Sequence, residues 1–153
     1  MTKLATGQIA PDFTLLTDTG TPFTLSERRG KSVLLYFYPQ ADTPACTNQN
    51  MDFTTHADWF AQHDILLVGI SPDSVEKLAK FRADYALKPV LLADPDHKTI
   101  GPYGVWGEKL NYGRTYQGLI RSTFLIGPDG TIARIWPNIR AKGHVERVVK
   151  ALD

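Results

Sequence analysis

The chain has 153 residues, of which 42% are hydrophobic, and this is enough for one domain with a single core. Lys and Arg number 17 against 16 Asp and Glu, and a net charge of +1 gives no basic stripe that would favour nucleic-acid binding. No apolar run approaches the ~18 residues of a membrane span. Residues 1–8 contain no apolar segment, so we expect no secretory signal.

Cys46 is the only cysteine of the chain, so no disulfide can form within it. Free thiols are typical of reducing compartments, and we therefore expect a cytoplasmic protein. A lone cysteine is most often a small, inert core residue. Whether Cys46 departs from that rule must be decided from its neighbours in the sequence.

The first predicted elements are a hairpin and a buried strand. Turn residues at 17–20 separate residues 12–15 from residues 22–25, and this pattern predicts a small β-hairpin near the N-terminus. The continuous apolar run 33–38 ends at Pro39 and predicts a strand that is buried on both faces.

A helix is predicted after the loop that follows Pro39. Phe53, Ala57 and Phe60 recur at helical spacing and define its buried face. Cys46 lies seven residues before Phe53 and is therefore expected near the same buried face.

The middle of the chain alternates strands and helices. Residues 65–70 predict a second buried strand, residues 75–85 a helix and residues 90–92 a short strand. The sequence Asp-Pro-Asp that starts at Asp94 predicts a helix cap and a short helix towards Tyr103.

The last third predicts a β-hairpin and a helix. Strands at 122–126 and 131–136 flank the turn sequence Gly-Pro-Asp-Gly, and residues 145–152 form an amphipathic helix. Parallel crossovers followed by an antiparallel hairpin predict a mixed central sheet with helices on both faces. This is an α/β, thioredoxin-like fold with an N-terminal hairpin extension, in one domain over residues 1–153.

Cys46 is predicted where a buried strand ends, a loop turns the chain and a helix begins. Open α/β sheets place their sites at such strand ends. The start of the helix offers unpaired N–H groups and the positive end of the helix dipole. Thr43 is a candidate for the N-cap, or for a hydroxyl directed at the sulfur or a bound oxygen, and Pro44 suits the first helical position.

A reactive thiolate at Cys46 requires more than a helix start. The dipole supplies only about 0.3–2 kcal/mol, and burial acts against the charged form. Arg121, at the start of an otherwise apolar strand, is the candidate cation. An arginine there is either a solvated strand end or an inward-facing residue whose fork of donors suits a thiolate beside a polarised peroxide.

These residues resemble the active-site motif of the peroxiredoxins. The pattern P-x-x-x-T-x-x-C ends at Cys46, and the sequences YFYP at 36–39, TPACT at 43–47 and RSTF at 121–124 are similar to the bacterioferritin-comigratory, or Q-type, subfamily. Further matching stretches cover almost the whole chain in the same order. The resemblance implies a thiol-dependent hydroperoxide reductase without a metal or organic cofactor.

The resemblance also implies a role for each of four residues. Cys46 would attack the terminal peroxide oxygen and become a sulfenic acid. Thr43 would hydrogen-bond the peroxide through its hydroxyl, and Arg121 would stabilise the thiolate and the developing negative charge. Pro39 would shape the pocket and shield it from water. These roles agree with the general need for donors that face developing charge.

The chain departs from many members of the subfamily at Met51, where they carry a second, resolving cysteine. The sulfenic acid at Cys46 must then be reduced by an external thiol or another chain, which is a 1-Cys mechanism. The reductant is left open between thioredoxin, glutaredoxin and a low-molecular-weight thiol. The subfamily resemblance favours a monomer or weak homodimer.

Two other functions remain open. A thiol-based peroxide sensor would use the same chemistry at Cys46 and pass its oxidation to a partner protein. A structural thioredoxin-like domain would hold Cys46 as an inert core residue. A cysteine hydrolase is disfavoured, because no histidine lies in the segments predicted to meet at Cys46.

The remaining histidines and aromatic residues give no further site. His56 and His63 lie on the predicted first helix at a spacing too wide for a metal pair, and His97 and His144 are isolated. We therefore expect no metal. One group of aromatic residues near the loops is a candidate dimerisation surface: Tyr36, Phe37, Tyr38 and Trp106.

Overall fold

A computed structural model describes residues 2–153. Met1, the first residue of the N-terminal segment in which no secretory signal is expected, lies outside the described residues. The elements of the described chain are β1 (Thr14–Thr17), β2 (Pro22–Thr24), β3 (Ser32–Phe37), α1 (Pro44–Thr55), α2 (Ala57–Gln62), β4 (Ile65–Ser71), α3 (Val75–Tyr85), β5 (Val90–Ala93), β6 (Trp106–Asn111), β7 (Arg114–Leu119), β8 (Ser122–Ile126), β9 (Ile132–Trp136) and α4 (His144–Leu152). Within residues 2–153, no helix has the length and hydropathy needed to cross a bilayer.

Seven strands form one mixed sheet in the order β2-β1-β5-β4-β3-β8-β9. The crossovers β3–β4 and β4–β5 are parallel, whereas β8 pairs antiparallel with both β3 and β9. The predicted mixed sheet and the hairpin around residues 127–130 are therefore confirmed. The N-terminal hairpin is confirmed too, and β1 joins it to the sheet by pairing antiparallel with β5.

Strand β3 lies inside the sheet and is buried on both faces, as predicted. Leu35 and Phe37 point into one apolar cluster, and Leu34 and Tyr36 into the other. Because Tyr36, Phe37 and Tyr38 are all 0% exposed, they cannot form the dimerisation surface considered from the sequence. Alternation of side chains along a strand places its neighbours on opposite faces of the sheet.

The four α-helices all pack on the Tyr36 face of the sheet. Each contributes buried residues to the cluster on that face: Cys46 and Phe53 from α1, Phe60 from α2, Leu78 and Phe81 from α3, and Val145 and Val148 from α4. The other face is covered by the N-terminal segment and by turns that include Ile100 and Tyr103. A short 3-10 helix, Leu25–Arg28, also lies on this face and buries Leu25. Helices therefore flank the sheet, as predicted, but the α-helices are not divided between its two faces.

The segment 94–104 explains that difference, because it forms turns instead of the predicted short helix. The Asp94 carboxylate accepts the N–H groups of Lys98, Thr99 and Ile100 and so holds a tight loop. His97 has a φ of 56°, a left-handed conformation that cannot continue a right-handed helix.

The predicted first helix is divided in two at His56. This residue has φ −97° and ψ 9°, outside the helical region, and its ring Nδ1 lies 2.9 Å from the carbonyl oxygen of Asp52. The apolar spacing of Phe53 and Phe60 is preserved across the break, since both remain 0% exposed. The periodicity thus predicted the buried face but not the interruption.

The hairpin of β6 and β7 was not predicted. Its strands pair with each other outside the main sheet, with Trp106 opposite Leu119. Their sequences mix polar, charged and apolar residues without clear alternation, so the period-two signal of a strand is weak. Large side chains on the hairpin are exposed, among them Leu110, Tyr112 and Tyr116.

Candidate active site

The start of α1 and the start of β8 both lie at the end of the sheet where strand β3 finishes. Strand β3 ends at Phe37, which pairs with Ser122 of the antiparallel strand β8. The residue before Ser122 is Arg121, and it therefore lies beside the loop that leads from β3 into α1. Cys46, the third residue of α1, is 1% exposed on the face of the helix that packs against the sheet.

Arg121 contacts both Cys46 and the next turn of the same helix. Its Nη2 lies 3.2 Å from the Cys46 sulfur, and its Nη1 donates to Oε1 of Gln49. Of the two readings of Arg121, the inward-facing one matches this geometry. The two hydrogen bonds fix the plane of the guanidinium so that a positive fork of donors faces the sulfur.

Gln49 was missed by the sequence analysis. It is 0% exposed, and its Nε2 has no hydrogen-bond partner within residues 2–153. Its position three residues after Cys46 places both side chains on one helical face, which was the available signal. A buried amide with a free donor on the same helical face as Cys46 is a candidate donor to an oxygen bound at this site.

Thr43 occupies the N-cap position of α1, but its side chain does not cap the helix. The hydroxyl instead donates to the carbonyl oxygen of Gln40 at 2.8 Å. Because its proton is used in this bond, the oxygen of Thr43 can accept a further hydrogen bond. Pro44 follows at the start of the helix, as expected, and Pro39 is half-buried at the start of the loop.

The loop between β3 and α1 is anchored by a buried carboxylate. Asp73 accepts hydrogen bonds from the backbone N–H of Ala41 at 2.7 Å and from the hydroxyl of Ser71 at 2.8 Å. Asp42, which follows Ala41, has a φ of 64° and accepts a hydrogen bond from the hydroxyl of Tyr85. Contacts to α3 and its leading turn therefore hold the loop that presents Thr43.

Asn50 links the Cys46 turn of α1 to the sheet. Its Oδ1 accepts from the hydroxyl of Tyr36 at 2.7 Å, and its Nδ2 donates to the carbonyl oxygen of Cys46 at 2.9 Å. Asn50 and Tyr36 are both 0% exposed, and burial raises the pKa of Tyr36, which stays a neutral donor. This buried bridge resists unwinding of the first turns of α1.

Met51 lies on the outer side of α1, away from the sulfur. It is 43% exposed and lines an open groove between α1 and the start of α4, together with Ala45 and Gly143. Cys46 points inward from the same helix, as the spacing of five residues requires. The two positions cannot touch while α1 is wound.

His144, which is isolated in the sequence, packs against the helix that carries Cys46. At the start of α4 it packs edge-on against Phe53 of α1, and its Nε2 lies 2.8 Å from the hydroxyl of Thr123. Burial, with the positive charges of Arg147 and Arg121, lowers the pKa of His144 to about 4. It is thus a neutral packing residue behind the site at neutral pH.

No metal site is found in the described part of the chain, where no group of three His, Cys, Asp or Glu side chains lies close enough to bind an ion. His56 contacts its own helix, His63 stacks on Trp59, and His97 packs against Trp106. These histidines are dispersed around the fold.

The sequence matches a model of a known protein family over most of its length, including the site. The AhpC/TSA family model matches residues 6–135, which include all four residues singled out from the sequence. A putative peroxiredoxin of Mycobacterium tuberculosis is 44% identical over 152 residues, covering 99% of this chain and 97% of the relative. Peroxiredoxin Bcp of Bacillus subtilis is 41% identical over 146 residues, or 95% and 93% of the two chains.

Solved structures of the same type are similar over the full length. The bacterioferritin comigratory protein of Xanthomonas campestris superposes with a TM-score of 0.88 at 31% identity, covering 99% of this chain and 97% of that chain. A cysteine-to-serine mutant of PrxQ from Xylella fastidiosa superposes with a TM-score of 0.92 at 29% identity, again over 99% and 97%.

Proposed function

Since the chain belongs to the AhpC/TSA family and is a peroxiredoxin, a thiol-dependent peroxidase, we propose that it works through Cys46 by a 1-Cys mechanism. The substrates are hydrogen peroxide and alkyl hydroperoxides, and the oxidised intermediate is a sulfenic acid. The single observation that carries this proposal is the contact of Arg121 with the sulfur of Cys46, at the buried start of a helix.

The first step is the attack of the Cys46 thiolate on the terminal oxygen of the hydroperoxide. A sulfur–oxygen bond forms and the oxygen–oxygen bond breaks, so the sulfur is oxidised to the sulfenic acid. The departing alkoxide or hydroxide takes up a proton and leaves as alcohol or water. Alkyl peroxide reduction is the activity attributed to the bacterioferritin comigratory protein of Xanthomonas campestris.

Each neighbouring group has one task in this step. Arg121 stabilises the thiolate and the negative charge that develops along the oxygen–oxygen bond. The Thr43 oxygen, whose proton is held by Gln40, accepts a hydrogen bond from the peroxide O–H. Pro39 shapes the entrance and limits access of water. Gln49 holds Arg121 in place from the next helical turn.

The second stage requires a thiol from outside the chain, because Cys46 has no partner cysteine. An external thiol displaces the sulfenic oxygen as water and forms a mixed disulfide with Cys46. A second thiol then releases reduced Cys46 and a disulfide of the two reductant sulfurs. Thioredoxin, glutaredoxin and low-molecular-weight thiols are the candidate classes. The 1% exposure of Cys46 favours a small thiol or local opening of α1.

A reducing compartment suits this cycle, so we place the protein in the cytoplasm as a monomer or weak homodimer. The second candidate function is a peroxide sensor that passes oxidation from Cys46 to a partner protein. The observation that favours it is the missing internal reductant, because an unresolved sulfenic acid persists until a partner thiol arrives.

The test is peroxide consumption by the purified protein with a panel of reductants, namely thioredoxin, glutaredoxin and glutathione, each with its recycling enzyme. We expect sustained turnover with at least one of them and none for Cys46→Ser. Stoichiometric oxidation without turnover under every reductant favours the sensor. Substantial turnover by Cys46→Ser contradicts the proposal, since the chain has no other cysteine that could replace Cys46.

Intact-mass spectrometry tests the 1-Cys mechanism directly. One equivalent of peroxide should add one oxygen, excess peroxide two or three, and added thiol should give a mixed disulfide. A protein whose mass is unchanged by one equivalent of peroxide, with no disulfide-linked dimer, holds an inert Cys46.

A further inference from the structure

The hairpin of β6 and β7 places a second cation close to Arg121. Lys109 lies on β6 opposite Tyr116 of β7. Its Nζ donates to the carbonyl oxygen of Leu119 at 2.8 Å, two residues before Arg121 in the chain. The ammonium group is therefore directed towards the start of β8, where Arg121 contacts Cys46.

Packing holds the side chain of Lys109 in this direction. Its stem crosses Gly118, where an added Cβ would lie 3.1 Å from the Lys109 Cδ. The Nζ lies 5.9 Å from the centre of the Tyr116 ring, within range of a cation–π interaction. A glycine, an aromatic ring and a carbonyl thus fix a long side chain that is otherwise flexible.

The hairpin is connected rigidly to the Cys46 site. Ile120 lies between Leu119 and Arg121, and its N–H donates to the carbonyl oxygen of Val105 at 2.7 Å, closing the base of the hairpin. Burial and the charge of Arg121 lower the pKa of Lys109, whereas Cys46 acts in the opposite direction. Together with the hydrogen bond to Leu119, two residues before Arg121, these effects place Lys109 in one cluster of charges with Arg121 and Cys46.

Positive charge in this cluster is not balanced by a carboxylate. Within residues 2–153, neither Lys109 nor Arg121 takes part in an ion pair, and the other partners of these two side chains are neutral. The one group of the cluster that can become an anion is the Cys46 thiol. Two cations around one potential anion leave an excess of positive charge when the thiolate forms.

We propose that Lys109 is a second cation of the Cys46 site, which stabilises negative charge on the sulfur together with Arg121 and attracts anionic reagents to it. The reagents meant are thiols or hydroperoxides that carry a carboxylate. Lys109 acts on the sulfur through its electrostatic field and does not contact the sulfur directly. This inference deepens the proposed function and rests on it for its biological meaning.

Alkylation of reduced Cys46 tests the inference without peroxide or reductant. Neutral iodoacetamide and anionic iodoacetate react at the same sulfur, so the ratio of their rates reports local charge. The variants are Lys109→Met, which removes the charge, Lys109→Arg, which keeps it, and the control Lys31→Met. Lys31 is exposed and precedes β3, at the opposite end of that strand from the site.

We expect Lys109→Met to lower the rate at which both reagents alkylate Cys46 at neutral pH and low salt. The rate with iodoacetate should fall about three to ten times more than the rate with iodoacetamide. Lys109→Arg should restore most of the rate, high salt should reduce the difference, and Lys31→Met should match wild type. Unchanged rates in Lys109→Met overturn the inference. The inference is also overturned if Lys109→Met slows both reagents equally and Lys109→Arg does not recover the wild-type rates, since the lysine stem would then act by packing. Because no peroxide is used, these outcomes are independent of whether the protein proves to be a peroxidase.

Discussion

The guanidinium Nη2 of Arg121 lies 3.2 Å from the sulfur of Cys46, although 75 positions of the chain separate the two residues. The antiparallel pairing of β3 with β8 creates this contact, because the end of one strand lies beside the start of the other. The second nitrogen of the guanidinium binds Gln49, so the arginine is held from the same helix that carries the cysteine. Helix α1 therefore carries the sulfur and also binds the guanidinium group that faces it.

Replacing Arg121 by methionine should slow the reaction of Cys46 with hydrogen peroxide by about 10²-fold or more, because a charged donor to the reacting centre is lost. Stopped-flow fluorescence under single-turnover conditions measures the rate. Arg134→Met on strand β9, where the guanidinium lies over Trp136 on the surface, is the matched control. Equal rates for Arg121→Met and wild type would show that the arginine is only structural.

Thr43→Val should reduce the rate of peroxide reduction far more than it reduces stability. Valine has a similar shape but cannot accept from the peroxide or donate to Gln40, and the lost hydrogen bond costs about 0.5–1.5 kcal/mol in unfolding free energy. Peroxide kinetics and urea unfolding are compared with Thr55→Val, whose exposed hydroxyl donates to the Met51 carbonyl. If both variants have wild-type peroxide kinetics, Thr43 is a bystander.

Met51→Cys should form a disulfide with Cys46 under peroxide only slowly. In a wound helix the two Cα atoms are about 8.7 Å apart, from the helical rise and radius, beyond the ~7 Å that a disulfide spans. The Asn50 bridge to Tyr36 and to the Cys46 carbonyl opposes unwinding. Adding Asn50→Ala to Met51→Cys should therefore accelerate disulfide formation, followed by non-reducing mass spectrometry of peptides. Equal rates in the single and double variants would show that Asn50 does not restrain the helix.

His144 should make the protein less stable as the pH falls from about 6.5 to 4. Its pKa is about 4 in the folded protein against an ordinary value of 6.5, so in this interval the unfolded chain binds a proton that the folded protein excludes. The associated stability is complete above pH ~6.5 and decreases by up to about 3 kcal/mol towards pH ~4. Urea unfolding at several pH values measures this slope.

His144→Gln keeps a polar partner for Thr123 but cannot titrate, so it should flatten the slope between pH ~6.5 and ~4. The exposed His63, changed to Gln, is the control and should retain the wild-type slope. A slope in His144→Gln as steep as in wild type would assign the acid sensitivity to other groups.

Local patterns in the sequence were sufficient for most of the elements. The apolar run of β3 predicted a strand buried on both faces, and the turn residues at 127–130 predicted the hairpin of β8 and β9. Helical spacing placed Cys46 on the buried face of α1 together with Phe53. These signals are local because side-chain periodicity depends only on backbone geometry.

Local patterns failed where a side chain or a distant segment decided the structure. The Asp94 carboxylate binds three successive N–H groups, as a helix cap would, but His97 has a left-handed φ of 56° and residues 94–104 form turns instead of the predicted helix. The hairpin of β6 and β7 has little alternation and was missed, and with it the position of Lys109. Neither outcome can be derived from hydrophobic spacing alone.

The sequence by itself determined the type of site: one cysteine at a helix start, no second cysteine to resolve it, and an arginine at a strand start. Only the tertiary structure decided which distant group reaches the sulfur, because the pairing of β3 with β8 brings Arg121 to the helical turn that carries Cys46 and Gln49. Burial on the sheet also keeps His144 neutral behind the site. The chemistry of a thiol depends on charges and donors within a few ångströms of it, and only folding brings Arg121, which is distant in the sequence, within that range.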